Sequence, residues 1–155
     1  MSAVRLSGKE LAANLRAEAA GVVAELAADG VAARLAIVTA TGDESAAWYV
    51  RSLLAAAGRI GMRCTVTDLG PDAGADQIRQ ELTSVSADPA VHGIILQTPL
   101  PAGLRAAELA LAIDPSKDVD GANPVSLGRL TAGLRGRSSP PGPPARRRRS
   151  APLAS

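Results

Sequence analysis

The sequence predicts an α/β protein, a three-layer α/β/α arrangement around a mostly parallel sheet, and three observations carry that prediction. Stretches with helical spacing of apolar residues alternate with short apolar runs closed by turn residues. That alternation places a helix between successive strands, as a parallel sheet covered on both faces requires. The chain of 155 residues, 46% hydrophobic, suffices for one ordinary core.

The elements follow in order. Ser7, with Glu10 three residues on, opens a helix in which Leu11, Leu15, Val22 and Leu26 recur near helical spacing, and Gly30 closes it. The run ARLAIVTA at 33–40 is a buried strand, ended by Thr41, Gly42 and Asp43. An Ala/Leu-rich helix starts at Asp43 or Ser45 and runs to Arg59, stopping near Gly61. MRCTVTDL alternates as a strand, and AGADQIRQELTSVSAD forms a third helix with Ile78, Leu82 and Val85 on one side. A third buried strand occupies 93–97, stopped by Pro99 and Pro101, which cannot continue a ladder. AGLRAAELALAI reads as a fourth helix, and DPSKDVDGANPVSLGRL as a loop leading to a short element.

Composition narrows the function classes. No apolar run approaches the ~18 residues of a membrane span, and no charged-then-apolar leader opens the chain, so a cytoplasmic location is expected. The single Cys64 cannot form an internal disulfide and reads as a small hydrophobe in a strand. Residues 1–134 carry 11 Lys/Arg against all 15 Asp/Glu, whereas 135–155 hold six Arg and no acid. That second segment is dense in Pro, has four consecutive Arg and lacks periodicity, which predicts a disordered tail after a domain at 1–134. Phosphate contacts by Arg146 to Arg149 would make it a nucleic-acid binder, but no aromatic residue is present there for stacking, and solvated disorder is the simpler reading.

Ligands of open parallel sheets bind beyond the carboxyl ends of the strands. This directs attention to 39–43, to 97–101 and to 117–120. Gln97, ending an apolar strand before a proline-stiffened turn, can offer a ligand a donor and an acceptor, or can satisfy loop backbone groups instead. Asp118 and Asp120, two apart beside Lys117, would point the same way in an extended loop and converge on a ligand amino group or a cation. There is no Cys/His cluster to suggest a metal, and His92, at a strand start, reads as structural. No G-x-G-x-x-G follows any strand, so the domain has no dinucleotide fingerprint.

The segments WYVRSLLAAAGRIGM, ADPAVHGIILQTPLP and DPSKDVDGANPVSLGRL, preceded by LSGKELAANLRAE, together resemble the catalytic domain of bifunctional methylenetetrahydrofolate dehydrogenase/methenyltetrahydrofolate cyclohydrolase over about residues 3–134. The resemblance implies a one-carbon enzyme that oxidises methylene- to methenyltetrahydrofolate with NADP and then hydrolyses the product to the formyl form. By position, Tyr49 matches the tyrosine that lines the pterin pocket. Gln97 matches the glutamine that supports a catalytic lysine, with Pro99 and Leu100 beside it in the substrate site. Asp120 matches the aspartate that holds the pterin's amino and ring nitrogens.

The lysine itself has no match. Leu53 stands four residues after Tyr49, where the family's Y-V-x-x-K motif has it, and the spacing from Tyr49 to Gly61 equals the family's. On a helix Leu53 lies about 40° from Tyr49 and Ser52 about 60° to the other side, so Ser52 is the polar neighbour left to face a pocket. A serine hydroxyl without a base is a poor proton carrier near neutral pH. Severely reduced cyclohydrolase activity is therefore expected, with Tyr49 retained for the pterin and Trp48, about 100° round the helix, packing structurally.

Other departures concern the pose and the cofactor. The loop before Tyr49 is one residue short, Trp48 replaces a small or aliphatic residue, and Ala122-Asn123-Pro124 replaces a histidine-proline. NADP and much of a homodimer contact belong, by the resemblance, to a further Rossmann-like domain, in whose place this sequence turns into the Pro/Arg tail. Gly136 to Ser139 echo a cofactor-loop G-R-S but run into Pro140. The chain thus admits a second reading as a folate-binding pseudoenzyme or a truncated, frameshifted fragment, GC-rich codons in the wrong frame yielding such a tail.

Overall fold

The structure, a computed structural model, describes residues 7–134; the tail expected to be disordered lies outside the described residues. Helices α1 (Lys9–Ala28), α2 (Glu44–Arg59), α3 (Ala75–Ala87), α4 (Ala106–Leu109) and α5 (Pro124–Thr131) accompany strands β1 (Arg34–Thr39), β2 (Arg63–Asp68) and β3 (Gly93–Leu96). The sheet is parallel, in the order β2-β1-β3, with Ile37 level with Val66 on one side and Ile95 on the other. The expected strands and the alternation are therefore present.

Alternation along β1 and β3 divides the core into two faces. Ala36, Val38, Ile94 and Leu96 pack with Ile78 and Leu82 of α3, with Leu109 of α4, and with Ala110 and Ile113 beyond it. Ile37 and Ile95 face the other way, toward Val50, Leu53 and Leu54 of α2. The central strand is apolar on both sides because both sides are covered. Cys64 on edge strand β2 packs half-buried beside this second cluster, and burial pushes its thiol up.

Several expectations need correction. The Ser7/Glu10 capping box does not form: Gly8 occupies the N-cap, and the Ser7 hydroxyl accepts only a long 3.4 Å bond from the Lys9 N–H. The residues of α1 that recur at helical spacing face outward, with Leu11 65% and Leu15 50% exposed, and Val23 is its buried residue. Leu11, Leu15, Val22 and Leu26 do form one stripe within about 60° of the helix, but nothing among the described residues covers it, so spacing identifies the helix and not what it packs against. The fourth helix is shorter than expected, because Arg105 is extended and Leu104 closes a turn on the Pro101 carbonyl. Helix begins at Ala106 and tightens into a 3-10 turn at Ala110–Ala112, which Ile113 ends in extended conformation. The short element after the acidic loop is α5, N-capped by the Asn123 side chain with Pro124 in its first turn.

Candidate functional site

Two of the three site segments leave the carboxyl ends of strands, 39–43 after β1 and 97–101 after β3, while the acidic loop runs along the sheet edge. Asp43 caps α2, its carboxylate accepting the Ala46 N–H at 2.8 Å and the Ser45 hydroxyl. Those two bonds, Ser45 first, lower the Asp43 pKa. On α2, Tyr49 is 50% exposed and Leu53, one turn on, is half-buried against Ile37, Val50 and Ile95. The two share a helix face. Ser52 is exposed.

Gln97 continues β3 by one residue, its N–H donating to the Val38 carbonyl at 2.9 Å, and it is buried. With side chains alternating along the strand, Gln97 shares the α2 face with Ile95, on which Leu53 rests. Its amide nitrogen donates to the Thr98 carbonyl at 2.6 Å, so both readings of Gln97 retain substance: one end of the amide serves the loop and Oε1 stays available as an acceptor. Thr98-Pro99 is a cis peptide. Pro99 is exposed, whereas Leu100 is half-buried and packs toward the α3-side core.

The acidic loop docks on the free edge of β3. Ile94 and Asp118 form a parallel bridge, and the Ile94 N–H donates to the Lys117 carbonyl at 2.8 Å. This register sets Asp118 on the Ile94 side of the sheet and turns Val119 to the side of Ile95 and Gln97. The two aspartates do not converge as expected. Asp118 is 1% exposed and its oxygens accept the Ala122 and Asn123 N–H groups at 3.1 and 3.0 Å, so it serves the loop's own backbone. Asp120 alone stays exposed. Partial desolvation of its carboxyl by the loop around it, and secondarily the Asp118 charge, push it above the ordinary aspartate value.

Lys117 and Asn123 are residues whose part the sequence reading missed. The Lys117 ammonium donates to the carbonyls of Ser86 and Asp88, each at 2.7 Å, tying the loop to the end of α3. Asn123, 2% exposed, donates to the Ala110 and Ile113 carbonyls and accepts the Val125 N–H. An Asn immediately before Pro and a helical pattern is a start signal that could have revealed the cap. The structural reading of His92 agrees with its ring, where Nδ1 accepts the Arg34 N–H at 3.2 Å. Trp48, expected to pack, is 65% exposed. It lines an open groove of about 590 Å³ with Glu44, Ser45, Ala47 and Arg51, on a side of α2 that includes neither Gln97 nor Asp120.

The described residues do not fit a nicotinamide dinucleotide. A pyrophosphate needs free N–H groups at a helix start behind a glycine-rich turn. The start of α2 is closed by the Asp43 carboxylate, and the first turn of α3 carries Asp76. Among the described residues no group of three or more His, Cys, Asp or Glu side chains could hold a metal ion, and no helix is long and apolar enough to cross a membrane.

Residues 6–120 match the family of the tetrahydrofolate dehydrogenase/cyclohydrolase catalytic domain. The chain is 61% identical over 129 residues to bifunctional protein FolD 1 of Saccharopolyspora erythraea, covering 83% of this chain and 44% of that protein. It thus spans less than half the length of that curated relative. A 5,10-methylenetetrahydrofolate dehydrogenase from the silkworm, Bombyx mori, superposes with a TM-score of 0.80 at 29% identity, over 87% of this chain and 47% of that one. The methylenetetrahydrofolate dehydrogenase-cyclohydrolase (FolD) of Trypanosoma brucei, solved with NADP and an inhibitor, gives 0.78 at 27% identity, over 84% and 45%.

Proposed function

The chain belongs to the tetrahydrofolate dehydrogenase/cyclohydrolase catalytic-domain family, and from that premise we propose that it binds a one-carbon-substituted tetrahydrofolate in the cytoplasm, with its hydrolytic step disabled by Leu53. The half-exposed Tyr49 ring offers the ligand a flat face. Asp120 accepts hydrogen bonds from the pterin's amino and ring N–H groups, and Gln97 Oε1 accepts a further one from the bound ligand. Pro99 lies at the rim of this site.

Leu53 carries the second half of the proposal. Hydrolysis of the methenyl form adds water to the bridging carbon; the water must lose a proton, and the departing nitrogen must gain one. At the helix position beside Tyr49 that fronts Ile95, the chain presents two methyl groups packed on Ile37 and Val50. Ser52 is exposed and has no base hydrogen-bonded to it among the described residues. Absence of a positioned acid-base group costs about 100- to 10,000-fold in rate. The oxidation step is assigned to none of the described residues, since they give NADP no seat.

Calorimetry with tetrahydrofolate on the full chain, together with the decay of methenyltetrahydrofolate absorbance with and without Leu53→Lys, tests both halves. Binding with negligible hydrolysis, raised by the lysine, is the expected result. Absence of binding overturns the folate reading. Brisk hydrolysis by the unaltered chain overturns the assignment to Leu53.

A further inference from the structure

The arc that presents Asp120 is held at both ends by groups that do not touch its carboxylate. At the near end, β3 begins with Gly93, where a Cβ would lie 2.7 Å from Val119 Cγ1 and 3.3 Å from Leu35 Cδ1. Val119 therefore rests on bare strand backbone, on the α2 face of the sheet that also carries Ile95 and Gln97. A methyl at 93 would have to push Val119 back by about 1 Å to restore an ordinary carbon-carbon separation of ~3.5–4.0 Å. At the far end, the Asp118 carboxylate accepts the N–H groups of Ala122 and Asn123. The buried Asn123 amide then anchors that end to the carbonyls of Ala110 and Ile113, at 3.2 and 2.8 Å. Only Asp120 and Gly121 separate the two anchors.

We propose that Gly93 and Asn123 are positioning residues for Asp120, fixing the short arc that carries its carboxylate against the edge of β3 so that a ligand meets that carboxylate in one place. For its ligand the proposal rests on the folate reading; for its geometry it does not. Strand β3 becomes a common frame, with Gln97 at its end and Asp120 held against its edge through Val119. The bare α-carbon at 93 serves this by letting the loop approach more closely than any side chain would permit.

The test is a double-mutant cycle on the full chain, with tetrahydrofolate affinity read by calorimetry. Gly93→Ala is expected to weaken binding about tenfold, the loss that follows when charge-assisted hydrogen bonds are bent out of line. Adding Val119→Ala removes the clashing methyl and should recover most of that loss. In an Asp120→Asn background the Gly93→Ala effect should shrink below about twofold, since the group it positions is no longer a carboxylate. Equal losses in both backgrounds, or no loss in either, overturn the proposal. If the parent chain does not bind tetrahydrofolate, the folate reading falls by itself, and the carbon NMR titration of the Asp120 carboxyl in the free protein decides the positioning. Its midpoint should move toward the ordinary aspartate value in Gly93→Ala and return in the double variant; an unmoved midpoint overturns the proposal. Asn123→Ala supplies the same readouts from the other end of the arc should Gly93→Ala fail to fold.

Discussion

Leu53 and Asp120 show how far a single side chain carries the argument. Leu53 is part of the cluster formed by Ile37, Val50 and Ile95, so Leu53→Lys exchanges apolar contact for a charge that must reach toward solvent. We expect the variant to lose about 1–2 kcal/mol of stability, read from its urea midpoint, while hydrolysis of methenyltetrahydrofolate rises by at least about 100-fold. Asp120 gives a prediction in pH. Its carboxyl is raised above the ordinary value of 3.8 by partial desolvation and then by Asp118. Ligand binding that needs the ionised form should thus begin to fail on acidification at a higher pH than an unperturbed aspartate would give. Asp120→Asn should abolish that pH dependence and weaken binding throughout. The linkage to folding has the opposite sense: a raised pKa favours the folded state at low pH and loses that contribution as pH climbs through the folded value. Asp43 and Asp114, whose values are lowered, contribute above the ordinary aspartate value and lose it as pH falls.

Elements were legible in proportion to how locally they are determined. The strands at β1 and β3 and the helix α3, with Ile78 and Leu82 fully buried, follow from runs and spacings alone. The packing of α1 did not, because its stripe of Leu11, Leu15, Val22 and Leu26 is exposed among the described residues while Val23 is the one buried. Gln97 stands where the apolar run before it predicts, at the end of β3. Asp118 was misread because sequence spacing cannot show that an acidic side chain will turn inward to bind its own loop. Lys117 and Asn123 were missed for the same reason, their partners being carbonyls at Ser86, Asp88, Ala110 and Ile113. Two substitutions check this division. Leu15→Gln on the outer face of α1 should change stability by less than about 0.5 kcal/mol. Asn123→Ala, which strands two buried carbonyls and a helix N-terminus, should cost about 2–4 kcal/mol. Urea denaturation of both variants reads the difference.

At the scale of the whole molecule, the sheet separates a deep core from a thin one, and Gln97 and the helix that carries Tyr49 belong to the thin side. The α3 side packs Ile78, Leu82, Leu109 and Ile113 against the strands, whereas the α2 side buries Ile37, Val50 and Ile95 with partly covered neighbours. Helix α2, which carries Tyr49, is therefore expected to open at lower free energy than α3. A ligand that touches Tyr49 as well as Gln97 and Asp120 binds only when α2 is seated, so it must suppress openings of that helix. With tetrahydrofolate at 100 times its Kd, such suppression approaches 100-fold, the factor by which binding to the closed form shifts the opening equilibrium. Hydrogen exchange should show amides near residues 49–53 slowing by up to that factor. Amides in the first turns of α1, a helix whose Leu11 and Leu15 face solvent and which supplies none of the proposed contacts, should keep their free rates. Saturating ligand with unchanged exchange across α2 would place the ligand elsewhere, since a site that used Tyr49 could not leave its helix free to open.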